Sequence, residues 1–203
     1  AVPTARGALN PDDFNLNISF GWQNYCRIGE WNPVEIIISS KAEDPFVGYL
    51  HLSHNQDDQH RLVITHPVAI LPEGTLRLPL ATKVGYETND CTIELRDEKG
   101  RLFLRTTIDL GDYRQGQTGL KLIVPGQVLL AAAGRGGLKF PGPPTEAGAA
   151  YVENRVEMAY LPVQSLPSAW AAYRGLDALI LHDPDWGQFT QAQAAALADW
   201  VTA

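Results

Sequence analysis

The feature that most constrains the fold is an alternation of apolar and polar residues with a period of two, running from Phe14 to about Gly111. Successive side chains of a strand point to opposite faces, so this period predicts strands that bury one face. We predict seven strands, at 14–22, 33–40, 46–53, 60–70, 75–82, 91–96 and 101–109. Seven short strands separated by turn residues are typical of an immunoglobulin-like β-sandwich.

Turn residues and prolines add local detail to this sandwich. The sequence Asp97-Glu98-Lys99-Gly100 predicts a hairpin turn, because glycine adopts a positive φ at little cost. Pro67 and Pro79 lack a backbone N–H, and each therefore indicates an edge strand or a bulge.

After a polar stretch the pattern changes to alternating strands and helices. Continuous apolar runs at 120–124 and 178–182 predict strands buried on both faces, and 155–161 predicts another strand. Residues 127–133 fit either a short helix or a strand, and 166–173 predicts a short helix with Pro167 in its first turn. Such an order indicates a parallel sheet with right-handed crossovers.

These patterns divide the chain into four parts. We predict an N-terminal tail at 1–13, the sandwich at 14–112, a linker at 113–118 and the first part of an α/β domain at 119–203. Within the last part, the Gly/Pro-rich residues 134–148 predict a long exposed loop.

The clearest helix is the last element. Thr190 and Gln193 form the pattern of a capping box, and Ala194, Leu197, Ala198 and Val201 predict one apolar stripe. No glycine or other stop signal follows, so we expect the natural protein to continue and this chain to be a fragment.

Composition narrows the classes of partner. The chain has 203 residues, of which 45% are apolar and 19% charged, and its formal net charge is −7. An acidic protein repels phosphate backbones and anionic membrane surfaces, so nucleic acid is not an expected partner. No apolar run has the length of a membrane helix, and residues 1–13 lack the regions of a signal peptide. Membrane anchoring would therefore depend on segments outside this chain.

The chain has two cysteines, Cys26 and Cys91. Connections alternate between the two ends of an up-and-down sandwich, which places both cysteines at the same end. They are then either a disulfide or two separate buried thiols, and the sequence leaves both readings open. A disulfide would indicate an oxidising compartment.

Two clusters hold polar side chains suited to ligands. His51, His54 and His60 form the densest group of candidate metal ligands, with Asp57 and Asp58 between them. Residues 51 and 54 face opposite sides of a straight strand, so a polar hairpin tip is the competing interpretation.

The second cluster is His182, Asp183 and Asp185, directly after a predicted parallel strand. Ligands of open α/β sheets bind at the carboxyl ends of strands, which makes these residues a candidate ligand site. The competing interpretation is a simple turn.

The remaining motifs give weaker indications of a binding or catalytic site. The GRGG sequence at 134–137 lacks the spacing of a phosphate loop, and no cofactor is expected. The five tryptophans, a candidate sugar platform, are spread over both parts of the chain. We recognise no set of residues for nucleophilic catalysis.

The C-terminal part also carries a family likeness. The sequence LPSAWAAYRGLDALIL, a short loop and a helix ending in ALADWV resemble the early part of class I glutamine amidotransferase-like domains of large bacterial extracytoplasmic proteins, which often carry a β-sandwich in front. GEWNPVEIIIS also resembles the second strand of many bacterial immunoglobulin-like modules. The resemblance implies a flavodoxin-like α/β fold. Catalytic members use a cysteine on a strand-to-helix turn further along than residue 203, so the likeness carries over no nucleophile.

The expected function is therefore a non-catalytic, extracytoplasmic binding or scaffold module on the periplasmic side, part of a larger protein and recognising a protein partner. One alternative is the front part of an amidotransferase-like hydrolase whose catalytic residues lie beyond Ala203. Another is a carbohydrate-binding sandwich. The sequence carries no signal for an oligomeric state.

Overall fold

The computed structural model describes residues 9–110, 120–135 and 156–203. The predicted linker, residues 1–8 of the predicted tail and most of the predicted 134–148 loop lie outside the described residues. Contacts divide the chain into two units: unit 1 holds 1–18, 35–78 and 87–111, and unit 2 holds 19–34, 79–86 and 112–203. The domain boundaries expected from periodicity, 14–112 and 119–203, stay a prediction.

All seven strands predicted from the period-two pattern are present, and a short strand is added between the first two. The eight strands of this part are β1 (Phe14–Phe20), β2 (Tyr25–Arg27), β3 (Trp31–Ser40), β4 (Phe46–Asn55), β5 (Arg61–Ile70), β6 (Thr75–Lys83), β7 (Asp90–Asp97) and β8 (Leu102–Asp109). One sheet has the order β1-β3-β6, and the other is antiparallel with the order β5-β4-β7-β8. Pro67 and Pro79 lie on β5 and β6, which are edge strands as predicted.

The two sheets pack together in unit 1 through three phenylalanines. Phe14 of β1 contacts Phe46 of β4 and Phe103 of β8, with ring centroids 5.9 and 5.1 Å apart, and the last two rings lie 4.9 Å apart. Each such pair stabilises the fold by about 0.5–1.5 kcal/mol beyond its buried area. The chain therefore contains a β-sandwich.

Two glycines of the antiparallel sheet occupy positions that a larger residue would not fit: Gly100 in a turn and Gly48 at a close approach of two strands. Gly100 has a φ of 78° and donates its N–H to Asp97 O at 2.9 Å, which confirms the predicted hairpin turn. A Cβ added to Gly48 would lie 2.0 Å from Arg96 O, so β4 and β7 approach each other too closely for a side chain there. The register of β7 against β8 shifts at Leu95 and Arg96, beside this contact.

Unit 2 contains a parallel sheet of three strands. The strands and the α-helix that follow β8 in the chain are β9 (Lys121–Ile123), β10 (Val128–Gly134), β11 (Val156–Leu161), β12 (Ala178–His182) and α1 (Gln191–Thr202). The sheet has the order β11-β10-β12, and both pairs are parallel. Residues 127–133, for which the sequence allowed a helix or a strand, form the strand β10. Its alanines are buried at the centre of the sheet.

Two predictions for this part are corrected. The run 120–124 forms a strand, but β9 pairs in parallel with β2 and not with the α/β sheet. The run 166–173 is not an α-helix: 3-10 turns form at Val163–Ser165 and Trp170–Gly175. The second turn has no side-chain cap at Ala169, and the Tyr173 hydroxyl donates to Pro167 O at 2.8 Å, which fixes the chain in this tighter path.

The capping box of α1 is confirmed, but its buried face differs from the predicted stripe. Gln193 N donates to Thr190 Oγ1 at 3.2 Å, and Thr190 N donates to Gln193 Oε1 at 3.0 Å. The residues buried on α1 are Gln193 and Ala196, whereas Ala194, Ala198 and Val201 are exposed. The apolar pattern failed because the buried Gln193 amide is fully hydrogen-bonded and so occupies an inward position without penalty.

Among the described residues, no helix has the length and apolar character needed to cross a membrane.

Candidate functional site

The predicted ligand cluster lies at the carboxyl end of the parallel sheet, where β10 and β12 run side by side. His182 and Asp183 are exposed. Asp185 accepts hydrogen bonds from the Arg135 guanidinium, from Gly187 N at 3.1 Å and from Gln188 Nε2 at 3.0 Å. The hydrogen bond from Arg135 holds the pKa of this carboxyl below its ordinary value, so Asp185 is a paired anion at neutral pH.

The loops after β10 and β12 also meet through the backbone. Asp183 has a φ of 41°, in the left-handed region that few residues other than glycine adopt. Gly134 has a φ of 149°, and a Cβ there would lie 1.7 Å from His182 O. The first glycine of GRGG thus allows two strands to approach closely, and it ends β10 rather than starting a phosphate loop.

Sequence analysis missed Arg135 as the partner of this cluster. It lies 50 residues before Asp185, and only the pairing of β10 with β12 brings the two together. No local motif contains that information. Asp185 already accepts these hydrogen bonds, and a ligand role for His182, Asp183 and Asp185 stays a prediction.

The histidine cluster does not converge. His54 is 2% exposed and its Nδ1 lies 3.1 Å from Gln56 Nε2. His60 is exposed and pairs with Asp57 at 2.8 Å, and His51 Nδ1 lies 3.4 Å from Thr65 Oγ1. Within the described ranges, no group of three or more histidine, cysteine, aspartate or glutamate side chains could hold a metal ion.

Both cysteines are free, buried thiols. Burial raises the pKa of Cys26 to about 12, and burial, with Asp90 nearby, raises that of Cys91 to about 12. Nucleophilic cysteines require the thiolate form, which such values suppress at neutral pH. Because both thiols stay protonated at neutral pH, neither is suited to act as a nucleophile. The chain has no other cysteine.

An exposed apolar surface of unit 2 lies between β12 and α1. We call it the β12–α1 face. It forms a groove of about 710 Å³, and its lining includes Leu181, Trp186, Phe189, Leu197 and Val201. Trp186 is 66% exposed and Val201 is 78% exposed. Trp186 stacks on Phe189 with ring centroids 5.1 Å apart, which gives the groove a flat aromatic wall.

The two outer edges of the parallel sheet differ. On the β11 side, Tyr160 N donates to Gln23 Oε1 at 2.7 Å, and Lys121 forms an ion pair with Glu157. On the other side, β12 pairs only with β10 within the described part of the chain. The open edge of β12 therefore borders the β12–α1 face.

The tryptophans do not form one platform. Trp22 is completely buried and lies 5.4 Å from Tyr173, whose ring stacks on Trp200 at the same centroid distance. Trp186 alone among these three belongs to the exposed face.

Comparisons with known proteins give a family match for the sandwich. Residues 13–111 match a family model described as a domain of unknown function (DUF8726). No curated protein matches the chain.

Several solved structures are similar over about half of the chain. A β-glucosidase from Listeria innocua in complex with isofagomine is 10% identical, with 47% of this chain and 16% of that chain covered and a TM-score of 0.31. The alkylpurine DNA glycosylase AlkC from Pseudomonas fluorescens is 8% identical, with 51% and 31% covered and a TM-score of 0.34. The CARDB domain of a Pyrococcus furiosus protein in complex with di-metal ions is 8% identical, with 54% and 98% covered and a TM-score of 0.33.

Similarity at this level supports no statement about ligand or activity. The chain also spans only 16% of the glucosidase and 31% of the glycosylase.

Proposed function

We propose that this chain is a non-catalytic binding or scaffold module of a larger extracytoplasmic protein. The observation that carries the proposal is the β12–α1 face, where large apolar side chains are exposed together beside an open strand. Contiguous apolar patches of this kind mark protein or membrane interaction sites or ligand-binding grooves. The proposed partner is a protein, because the formal net charge of −7 disfavours anionic membrane surfaces, and this proposal assigns the chain no reaction.

The chemistry of the described residues supports a scaffold over a catalyst. The thiols of Cys26 and Cys91 are buried with pKa values of about 12. The carboxylate of Asp185 is held by Arg135 and by two further donors. Groups engaged in this way stabilise a fold and are poorly placed for proton transfer.

Site-specific photo-crosslinking in the native host tests the proposal. We would replace Val201 by p-benzoylphenylalanine, and as a matched control Val63, which is 53% exposed on the sandwich. We expect position 201 to crosslink to polypeptide outside residues 1–203, mapped by mass spectrometry, and position 63 to give little product. No adduct at 201, or equal adducts at both positions, would refute the proposal.

The extracytoplasmic location is part of the proposal and rests on the family resemblance. Treating intact cells and spheroplasts with protease tests it. We expect the module to be degraded only after the outer barrier is opened and while the inner membrane is intact. Protection until the cells are lysed would place it in the cytoplasm and contradict the proposal.

The second candidate is the front part of an amidotransferase-like hydrolase. The observation in its favour is the parallel order β11-β10-β12, with polar residues at the carboxyl ends of its strands. A gene that encodes a cysteine on a strand–turn–helix after residue 203, and a later histidine, would favour this candidate. Glutaminase activity of the full-length product, lost on replacing that cysteine, would establish it over the scaffold.

A further inference from the structure

We infer that the outer edge of β8 is a self-association surface, at which two copies of the chain pair in antiparallel fashion about a two-fold axis through Thr107. The inference goes beyond the proposed function, because β8 belongs to unit 1 and the β12–α1 face belongs to unit 2. It is carried by the backbone groups along the edge of β8, by the half-buried side chains beside them and by the order of charges along the strand.

The first observation is a regular strand whose backbone groups face outward. In the described part of the chain β8 pairs with β7 alone and ends the sheet β5-β4-β7-β8. Leu110 N donates to Asn89 O at 2.8 Å, which fixes the alternation of the ladder between β7 and β8. The backbone N–H and C=O groups of Arg105, Thr107 and Asp109 therefore point away from β7, in the direction from which a further strand would add.

The opposite edge of the same sheet is protected against such pairing. Gln56 N donates to His60 O at 2.8 Å, so the backbone of the odd-numbered residues of β5, Pro67 among them, faces outward. Proline has no N–H and interrupts the ladder of an added strand, which is a common protection of sheet edges. Residues 102–109 contain neither proline nor lysine. The register shift between β7 and β8 precedes Leu104, and β8 is regular after it.

The second observation is a row of side chains that face the sandwich interior without being fully covered. Leu104 and Ile108 of β8 lie opposite Leu95 and Cys91 of β7, and so share their face of the sheet. The two β7 residues are 0% exposed, whereas the two on β8 are half-buried. A strand added beyond β8 would cover this row and extend the apolar face of the sheet.

The third observation is the order of charges on the outer face, which identifies the strand that fits. Arg105 and Asp109 flank Thr107, and all three are exposed. In an antiparallel pair of β8 strands centred on Thr107, Arg105 of each copy lies opposite Asp109 of the other. Registers centred on Arg105 or on Asp109 place like charges directly opposite each other, which is destabilising. Among the registers that join outward-facing backbone groups, only the one centred on Thr107 forms both ion pairs.

A second copy is therefore the occupant that β8 itself specifies. The formal net charge of −7 opposes association of two copies, so a stable contact between them needs local pairs of opposite charge. Arg105 is held on the outer face by its hydrogen bond from Nε to Glu94 at 2.8 Å, and 56% of its side chain remains exposed. The contact is isologous, since the two-fold axis gives each copy the same interactions. A strand from another protein would meet the same backbone groups, but its binding would not depend on the concentration of this chain.

Sedimentation equilibrium of the 203-residue chain tests the inference. We expect a monomer–dimer equilibrium whose dissociation constant rises at least about tenfold in Asp109→Arg, because this variant sets two arginines opposite each other. Asp199→Arg, the same change at an exposed position of α1, should leave the constant unchanged. Thr107→Pro removes an outward N–H and should also weaken the dimer, whereas Thr65→Pro makes that change on the β5 edge and should not. Circular dichroism checks that each variant is folded.

Disulfide trapping locates the contact. Paired residues of adjacent antiparallel strands have Cα atoms about 5.5 Å apart, within the range of a disulfide. We expect Thr107→Cys to form a covalent dimer under mild oxidation, and Thr65→Cys, exposed on β5, to remain a monomer. The native thiols of Cys26 and Cys91 are buried and should not interfere.

Three results would overturn the inference. A chain that stays monomeric up to about 1 mM does not self-associate. A dimer that is unaffected by both Asp109→Arg and Thr107→Pro forms through another surface. Weakening by Thr107→Pro alone, with no covalent dimer of Thr107→Cys, means that β8 pairs in a different register. None of these results bears on crosslinking at Val201, which tests the proposed function separately.

Discussion

The guanidinium of Arg27 pairs with the carboxylate of Asp177, 150 residues further along the chain. The same guanidinium donates from Nε to Gly175 O at 2.8 Å and from Nη1 to Gln127 O at 3.1 Å. Asp177 in turn accepts the Leu129 N–H at 2.7 Å, at the start of β10. A single side chain on β2 thereby ties down the segments that lead into β10 and β12.

Replacing Arg27 by methionine should destabilise unit 2. The variant keeps an apolar stem but removes the donor to Gly175 O and to part of the Asp177 carboxylate, at a site where the arginine is only 16% exposed. We expect the free energy of unfolding to fall by about 2–3 kcal/mol, measured by urea denaturation. The matched control is Arg101→Met, whose side chain is 74% exposed and should cost less than about 0.5 kcal/mol. Equal losses in the two variants would contradict this role for Arg27.

Gln193 should tolerate no negative charge. Its Nε2 lies 2.7 Å from Leu166 O and 3.2 Å from both Val163 O and Gln164 O, in a position that is 5% exposed. In Gln193→Glu a carboxylate would face these carbonyl oxygens without a proton to donate. We expect the free energy of unfolding to fall by about 2–4 kcal/mol, with a partial recovery at acidic pH where the new carboxyl is protonated.

The control for this variant makes the same chemical change two residues earlier. Gln191 is exposed at the first turn of α1, where a negative charge interacts favourably with the helix N-terminus. We expect Gln191→Glu to leave the melting temperature unchanged or slightly higher. A comparable loss in both variants would show that Gln193 acts only through general helix propensity.

The sandwich strands could be predicted from the sequence because their signal is local. On β3 the side chains of Val34, Ile36 and Ile38 are buried and those between them are half-buried, which is the period of two expected of a strand. A turn such as Asp97–Gly100 also carries its own signal, since its glycine has the positive φ that the turn requires. Period and turn chemistry are both contained within about ten residues.

Unit 2 was less predictable because its decisive contacts join distant residues. β9 follows the apolar pattern of an inner strand, yet it pairs with β2, whose residues lie 96 positions earlier in the chain, which no local pattern reveals. The predicted apolar stripe of α1 did not include Gln193, for which the sequence indicated only a role in the capping box, yet Gln193 is buried. Its three carbonyl acceptors belong to Val163, Gln164 and Leu166, so its burial depends on a turn that precedes the predicted 166–173 helix and that the sequence pattern did not predict. The partner of Asp185 was missed for the same reason.

His54 should make the sandwich less stable in mild acid. Burial lowers the pKa of its imidazole below the ordinary histidine value, against smaller opposing effects from the Asn55 carbonyl and Asp90. The unfolded chain then binds a proton more readily than the fold, so stability is complete above about pH 6.5 and declines as the pH falls below it. We expect the urea midpoint to decrease between pH 7.5 and pH 5.5.

A variant separates this histidine from the other titrating groups. His54→Gln should lose part of the pH dependence between pH 7.5 and 5.5, whatever its own stability at neutral pH. His182→Gln, at an exposed position, should keep it. The same pH slope in His54→Gln as in the wild-type protein would assign the effect to another group.

The two thiols should be unreactive in the folded protein. Cys26 and Cys91 are both 0% exposed, and burial raises the pKa of each to about 12. The thiolate fraction at pH 8 is then lower than that of an unfolded cysteine by a factor on the order of 10³. We expect labelling by iodoacetamide to be slower by at least that factor in native buffer than in 8 M urea without reductant.

The same experiment distinguishes free thiols from a disulfide. If Cys26 and Cys91 are free, two labels are incorporated in urea without reductant, and Cys26→Ser incorporates one. A mass that shows no label until a reductant is added would mean that the two cysteines are bonded, contrary to the structure, and would support an oxidising compartment. Rapid labelling of either thiol in native buffer would instead show that its surroundings open readily, because a buried thiol reacts only through local or global unfolding.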